Sequence, residues 1–448
     1  VVSGTLAYAV GAGKAVVSTP YLHAEELLAD GHGELVEYGD TEALARILRR
    51  LATDEAARNR LRERAYALGR TMTWDRVGRR YAEVFGAAVE AGRSVPVPVR
   101  APDLAPASIA YLAALTDDTG IFQHAPYGVP DRRHGYCTDD AGRALVVALR
   151  YYHQTGDEAA LPLVRTYLSF LHHAQQADGA FRNFMSYARR FVDEQPSEDT
   201  TGRALWGLGA AAATAPDPAL RQLAREMLEK AREVPLRHPR AVAYALCGLA
   251  LFLRRHSGAS RTRHRLVELA EQLVERYERA RRPGWRWFHD EVTYGNAILP
   301  LALLHAFRVT GRPEFRTVGL ETLDFLLEVT YRDDRFDFVG NQGWYRRDGE
   351  RTAFAQQSIE AGYTAEACVV AYEVTGEARY LDLARAAVDW FGGRNRLGVA
   401  LYDPETGACA DGLEPYGASF NQGAESVIAC LLGLLAVHAH AEAVDTYA

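Results

Sequence analysis

Cysteine is scarce in this chain: five residues among 448, at 137, 247, 368, 409 and 430. They are scattered, odd in number and form no Cys-x-x-Cys pair, so neither a disulfide framework nor a zinc site is indicated. Unpaired thiols fit a reducing compartment, and a cytoplasmic location is expected. Positive charge is not in excess either. Lys and Arg total 51 against 58 Asp and Glu, a net charge of −7, which leaves no electrostatic case for a nucleic-acid partner. No apolar run reaches the roughly 18 residues of a membrane-spanning helix, and no secretory signal is visible. Phosphate-loop and dinucleotide fingerprints are absent, as is a Gly-x-Ser-x-Gly nucleophile motif. His172–His173 lack a ligand partner at helical spacing, and "DDTGIF" lacks the later ligands of a calcium loop, so no metal and no cofactor is expected. The chain opens on "VVSGTLAYAV", already inside a structured pattern and without an initiator Met, and is expected to be a piece of a longer protein.

What is present is an ordinary globular balance, 48% hydrophobic and 24% charged, in a length that suggests two or three domains. Residues 1–89 alternate short strands ("AVVSTP", "GELVEYGD") with helices, the longest broken near Asp54, and predict an α/β segment. Residues 90–105 concentrate prolines, which block helix and predict an extended linker. From 106 to 448 apolar residues recur at i, i+3 and i+4. Twelve helices are predicted, near 106–115, 138–155, 158–176, 198–214, 217–233, 239–256, 260–279, 294–311, 313–330, 356–376, 378–393 and 421–440.

An internal repeat pairs them. "HQTGDEAAL", "RVTGRPEF" and "EVTGEARY" share a Thr-Gly turn in which Gly156, Gly311 and Gly376 can cap the incoming helix at positive φ. So short a turn makes its flanking helices antiparallel neighbours. The alternate connections are long, and the helices after them are the more apolar. They predict an inner ring inside an amphipathic outer ring: a mainly α, closed (α/α)6 toroid whose inner helices all begin at the end where the long loops gather.

That end is therefore the candidate site. "TDDAGRAL" and "SEDTTGRAL" place Asp139, Asp140, Glu198 and Asp199 in first turns, and "SIEAGY" adds Glu360; these five acids are the candidate catalytic residues. His134, Tyr136, Trp285, Trp287, Asp290, Tyr294, Asn296, Trp344, Asn421 and Glu425 are the candidate substrate contacts, with Asp117, His124 and Asp411 among further polar residues in the loops. Carboxylates, aromatics and amides are sugar chemistry. Rings stack on pyranoses, amides and acids bind hydroxyls, and paired carboxylates serve acid/base cleavage of glycosidic bonds. Taken singly, each acid reads equally as a helix cap, with Thr138 and Ser197 as N-caps. Capping alone does not explain why doublets and aromatic residues crowd the same end.

Three resemblances add to this. "SGTLAYAVGAGKAVVSTP", "AEELLADGHGELVEYGDTEALARIL" and "MTWDRVGRRYAEVF" resemble the end of the C-terminal lobe of retaining GT-B glycosyltransferases of the group 1, family 4 kind. Tyr8 stands where many relatives carry a ribose-binding Glu; Glu25 and Glu26 are the remaining candidates for donor contacts, and each reads equally as surface charge. A nucleotide sugar is then a partner only of a full-length chain that holds both lobes. "GWRWFHDEVTYGNAILPLAL" is similar to a helix start in (α/α)6 glycoside hydrolases, whose fold relatives include sugar epimerases and polysaccharide lyases. "DDTGIFQHAPYGVPDRRHGYCTDDAGRAL" with "NQGAESVIACLLGLL" looks like a bacterial domain found attached to glycosyltransferases. The expectation is a carbohydrate-active domain that cleaves or transfers glycosidic linkages with carboxylates, its partner an oligosaccharide. A non-catalytic glycan holder and a transferase acting through the first segment are the alternatives.

Overall fold

The structure is a computed structural model that describes residues 3–93 and 106–445. The chain divides into two compact units, Val1–Pro98 and Val99–Ala448. Most of the expected linker, residues 94–105, lies outside the described residues; its first four residues are helical instead.

The first unit contains α1 (Gly4–Gly11), α2 (Leu22–Leu27), α3 (Thr41–Thr53), α4 (Glu55–Thr71) and α5 (Trp74–Arg93). One parallel strand pair joins them, with Val17 opposite Glu34 and Ser18 opposite Leu35. The break near Asp54 has a local cause: its carboxylate accepts from the Ala57 amide at 2.9 Å and caps α4. Leu6, Val10, Ala24, Leu28 and Ala65 form a small core.

Among the described residues the second unit holds twelve helices. They are α6 (Ala110–Ala114), α7 (Thr138–Thr155), α8 (Ala160–Ala174), α9 (Glu198–Thr214), α10 (Pro218–Ala231), α11 (Pro239–Arg255), α12 (Ser260–Ala280), α13 (Ile298–Thr310), α14 (Pro313–Thr330), α15 (Ser358–Thr375), α16 (Ala378–Asp389) and α17 (Ala424–Asp445). The inner helices α7, α9, α11, α13, α15 and α17 pack each on the next, and α17 packs on α7. The ring is closed, and the fold is the mainly helical (α/α)6 toroid. Gly156, Gly311 and Gly376 end their helices at φ 71, 70 and 74°, the left-handed cap that their Thr-Gly turns require. No helix among the described residues is long and apolar enough to cross a membrane.

Small residues let the inner helices approach. A Cβ on Gly248 of α11 would lie 2.1 Å from the Leu205 carbonyl oxygen of α9. Gly248→Ala is therefore expected to cost about 1–3 kcal/mol through overpacking, read as a lower urea midpoint. Gly258→Ala is the control, because a Cβ there meets nothing within 4 Å.

Antiparallel pairing brings all the long loops to the end where the inner helices start. Strands of two or three residues stitch neighbouring loops together there. Tyr136–Cys137 pairs with Phe184–Met185, Glu291–Val292 with Tyr345–Arg346, and Gln356–Gln357 with Gly412–Glu414.

Candidate active site

The start of α7 is built differently from the expectation. Cys137, not Thr138, is the N-cap: its sulfur accepts from the Asp140 amide at 3.4 Å. The Thr138 hydroxyl donates instead to the Arg182 carbonyl at 2.5 Å. Ser197 caps α9 as expected, accepting from the Thr200 amide at 3.1 Å.

One turn into each of these helices stands a buried arginine. Arg143 Nη2 lies 2.7 Å from Asp140 Oδ1 and its Nη1 lies 2.9 Å from Glu425 Oε2, which ties α7 to α17. Arg203 Nη1 lies 3.1 Å from Asp139 Oδ2 and 3.8 Å from Asp199, which ties α9 to α7. The Arg203 guanidinium also sits 4.5 Å from the centre of the Tyr244 ring. Asp139 Oδ1 is buried and has no hydrogen-bond partner. Burial pushes the Asp140 carboxyl up, against the pull of Arg143.

Across the ring, Tyr294 O–H reaches Asp199 Oδ2 at 3.5 Å, and Arg240 lies 4.3 Å over the Tyr294 ring. Trp344, held at φ 59°, has its ring 6.2 Å from that of Tyr294. The expected helix at 294 begins only at Ile298, because residues 294–297 form a turn around Glu360. That carboxylate accepts from the Gly295 amide, from the Asn296 amide at 3.3 Å and from Asn296 Nδ2 at 2.8 Å. Burial pushes the Glu360 carboxyl up to about 7. A carboxyl raised on folding contributes stability that is full below its unfolded value and is lost as pH rises through the folded one. The chain is thus expected to lose up to about 3 kcal/mol between pH 4.5 and 7 from this group. Urea unfolding across that range measures the slope, and Glu360→Gln should flatten it.

Asp139, Asp140 and Glu425 line one cavity of about 310 Å³, together with His124, Gln357 and Asp411. Asp411 organises its wall, accepting from Asn421 Nδ2 at 2.6 Å, the Gly423 amide at 2.8 Å and Ser426 Oγ at 2.8 Å. Asn421 joins the loops, with its Oδ1 2.9 Å from the Ala125 amide and its Nδ2 2.9 Å from His124 Nδ1. His134 is exposed, and its ring lies 4.6 Å from that of His124.

Other expected site residues are held elsewhere. Glu198 caps the next inner helix, accepting from the Arg237 and His238 amides at 2.5 and 2.8 Å. Trp285 and Trp287 are 3% and 1% exposed, so neither has a face free for a sugar. Trp285 packs edge-on against Phe325 and Tyr345 and donates to the His289 carbonyl at 2.6 Å, while Trp287 packs on Phe288 and Phe325. Tyr136 is buried against Phe122 and donates to Asp117 at 2.6 Å. Asp290 pairs with Arg347 at 2.8 Å. Arg143 and Arg203, by contrast, are not among the expected site residues, although Gly-Arg-Ala-Leu follows both acid doublets and places each guanidinium four residues after an aspartate. Among the described residues no three His, Cys, Asp or Glu side chains are grouped to hold a metal ion.

No protein-family model matches the chain, and no curated protein matches it in sequence. Solved structures do. A sugar epimerase from a ruminal bacterium matches at TM-score 0.60 and 13% identity, covering 74% of this chain and 96% of that one. Cellobiose 2-epimerase from Spirochaeta thermophila matches at 0.59 and 16%, covering 77% and 100%. An inactive variant of an α-1,6-mannanase from Salegentibacter sp., with two consecutive aspartates changed to asparagine and α-1,6-mannotriose bound, matches at 0.52 and 10%, covering 73% and 95%. At these identities the likeness is one of fold, and that shared fold is the (α/α)6 toroid.

Proposed function

We propose that the second unit is a carbohydrate-active enzyme domain that cleaves or transfers glycosidic linkages with carboxylates. The observation that carries this is the Asp139 carboxylate. It lines the cavity, one of its oxygens is fixed by Arg203, and the other has no partner. A buried oxygen without a donor is costly unless a ligand supplies one; a sugar hydroxyl would do so, and a protonated Asp139 would in turn donate to a glycosidic oxygen. Glu425, held by Arg143 and 40% exposed, is the carboxylate that lines the same cavity opposite a different arginine. Asp140 acts through Arg143 as a positioning residue, and Asp199 and Glu360, outside the cavity lining, hold Tyr294 and the turn after it. The α-1,6-mannanase that loses activity when two consecutive aspartates become asparagines offers a parallel to the Asp139–Asp140 doublet.

A second reading rests on one contact. His124, which lines the cavity, and His134, whose ring lies 4.6 Å away, are two imidazoles suited to moving a proton on and off a sugar carbon, as an epimerase requires. Incubation with manno- and cello-oligosaccharides in deuterated water separates the two. Cleavage shortens the chains and creates new reducing ends; epimerisation keeps their length and introduces carbon-bound deuterium. Intact chains without deuterium would contradict both and favour a glycan holder.

The first unit is assigned, on its resemblance alone, to the C-terminal lobe of a GT-B glycosyltransferase, with a nucleotide sugar as its partner in a full-length chain. Five buried free thiols accord with a cytoplasmic location.

A further inference from the structure

The cavity of Asp139 is not the largest in the second unit. A cleft of about 570 Å³ opens between the start of α11 and the end of α12, and its charged lining is Arg237, Arg276, Arg279, Arg282, Glu275 and Asp290. Its charges do not cancel locally. Arg279 is paired with Glu275, and Asp290 is paired with Arg347. Arg237, Arg276 and Arg282 pair with no carboxylate among the described residues. Arg276 donates only to the Arg237 carbonyl at 3.4 Å, and Arg282 to the Arg279 and Arg281 carbonyls at 2.9 and 2.7 Å. In a chain of net charge −7, three uncompensated guanidiniums around one concavity are a local reversal of sign. Such a wall attracts and concentrates anions.

The neighbouring imidazole reports the same field. His289 lines the cleft, and its pKa is held down at about 4 by burial first and then by Arg276 and Arg240. It stays neutral and keeps ring nitrogens free for hydrogen bonding without adding charge.

We propose that this cleft binds a phosphate group carried by the ligand. Guanidinium forks match phosphate oxygens two at a time, and a doubly charged phosphate answers three unpaired cations better than a single carboxylate does. The cleft lies beside the acid site in the ring. Glu198, next to Asp199 in the chain, caps the backbone of Arg237 and His238. Arg240, the second residue of α11, donates to the Tyr294 carbonyl at 2.6 Å, and Tyr294 in turn reaches Asp199. Only the sugar part of the ligand rests on the function proposed above, which then becomes action on a phosphorylated glycan. The phosphate site stands on the arginines alone.

Isothermal titration of the full chain with glucose 6-phosphate, inorganic phosphate and glucuronate tests it. Glucose 6-phosphate should bind saturably and about ten-fold or more tighter than glucuronate. Arg276→Ala and Arg282→Gln should each weaken it about ten-fold. Arg225→Ala, on α10 and outside the lining of the cleft, should leave it unchanged. The carbonyl-only contacts of Arg276 and Arg282 make loss of folding an unsuitable explanation, and a melting curve of each variant checks this. Inorganic phosphate binding as tightly as glucose 6-phosphate would keep the site and identify free phosphate as its ligand. No saturable binding of either phosphate, glucuronate bound equally well, or affinity indifferent to both arginine substitutions would overturn the proposal. Because the readout is binding, a failed glycosidase assay leaves it standing, and its failure leaves the glycosidase assay standing.

Discussion

Asp139→Asn should lower turnover of a cleaved glycan by about 10²–10⁴-fold, the usual weight of a positioned acid or base, with binding of the same glycan changed by no more than a few-fold. Asparagine keeps the shape of the side chain, and its amide oxygen can still accept from Arg203, which approaches Asp139 Oδ2 at 3.1 Å. What is lost is the capacity to carry or release a proton at the oxygen that now has no partner. The effect should therefore fall on kcat rather than on KM. Glu425→Gln is expected to behave similarly, because its carboxylate lines the same cavity. Glu198→Gln is the contrasting case. Its carboxylate serves two backbone amides at the start of α11, a duty that an amide oxygen can share, so turnover should stay close to that of the parent. Initial rates over a range of substrate concentrations, paired with binding to the inactive variants, measure all three. Loss of binding with Asp139→Asn, in place of loss of turnover, would favour a glycan holder.

Arg143→Met should be the most destabilising single change at the site, costing about 3–5 kcal/mol in urea unfolding. Arg143 is 2% exposed and neutralises Asp140, which is 5% exposed, while also holding Glu425. Methionine fills much of the volume but leaves a buried carboxylate without its cation. That carboxyl, already raised by burial, would rise further and take a proton on folding. The defect should therefore shrink as pH falls below the unfolded carboxylate value and grow as pH rises. Adding Asp140→Asn should restore more than half of the loss, since the pair is then replaced by groups that need no counter-charge. An equal loss in the single and double variants would mean that the arginine matters for its packing and its bond to the Asp139 carbonyl rather than for its charge.

The toroid was legible because its signals are local and repeated. Helical periodicity marked the inner and outer helices, and three Thr-Gly turns marked which neighbours run antiparallel. Gly156, Gly311 and Gly376 adopt the positive φ that such turns demand. Connectivity then forced the acid-bearing starts of α7, α9, α15 and α17 to one end. Side-chain destinations were less legible, because they depend on partners far away in the chain. Nothing near Glu198 announces that it will cap a helix 40 residues on. Trp285 and Trp287 look like sugar platforms by composition, yet Phe325 on an outer helix claims their faces. The turn at 294–297 follows from Glu360 drawing in the amides of Gly295 and Asn296, 64–65 residues away. The arginine spacing was visible; its meaning required knowing that α7 and α9 lie side by side. The cleft of Arg237, Arg276 and Arg282 gathers arginines from the approach to α11 and the end of α12 that look like ordinary surface charge when read in line.

A crystal structure of the Asp139→Asn variant soaked with manno- and cello-oligosaccharides tests the central assignment most directly. A sugar ring in the cavity of Asp140, Glu425 and Asp411 is the expected result, with a glycosidic oxygen or hydroxyl about 2.6–3.2 Å from the substituted side chain. Sugar bound only elsewhere on the toroid, with this cavity empty at saturating oligosaccharide, would contradict it.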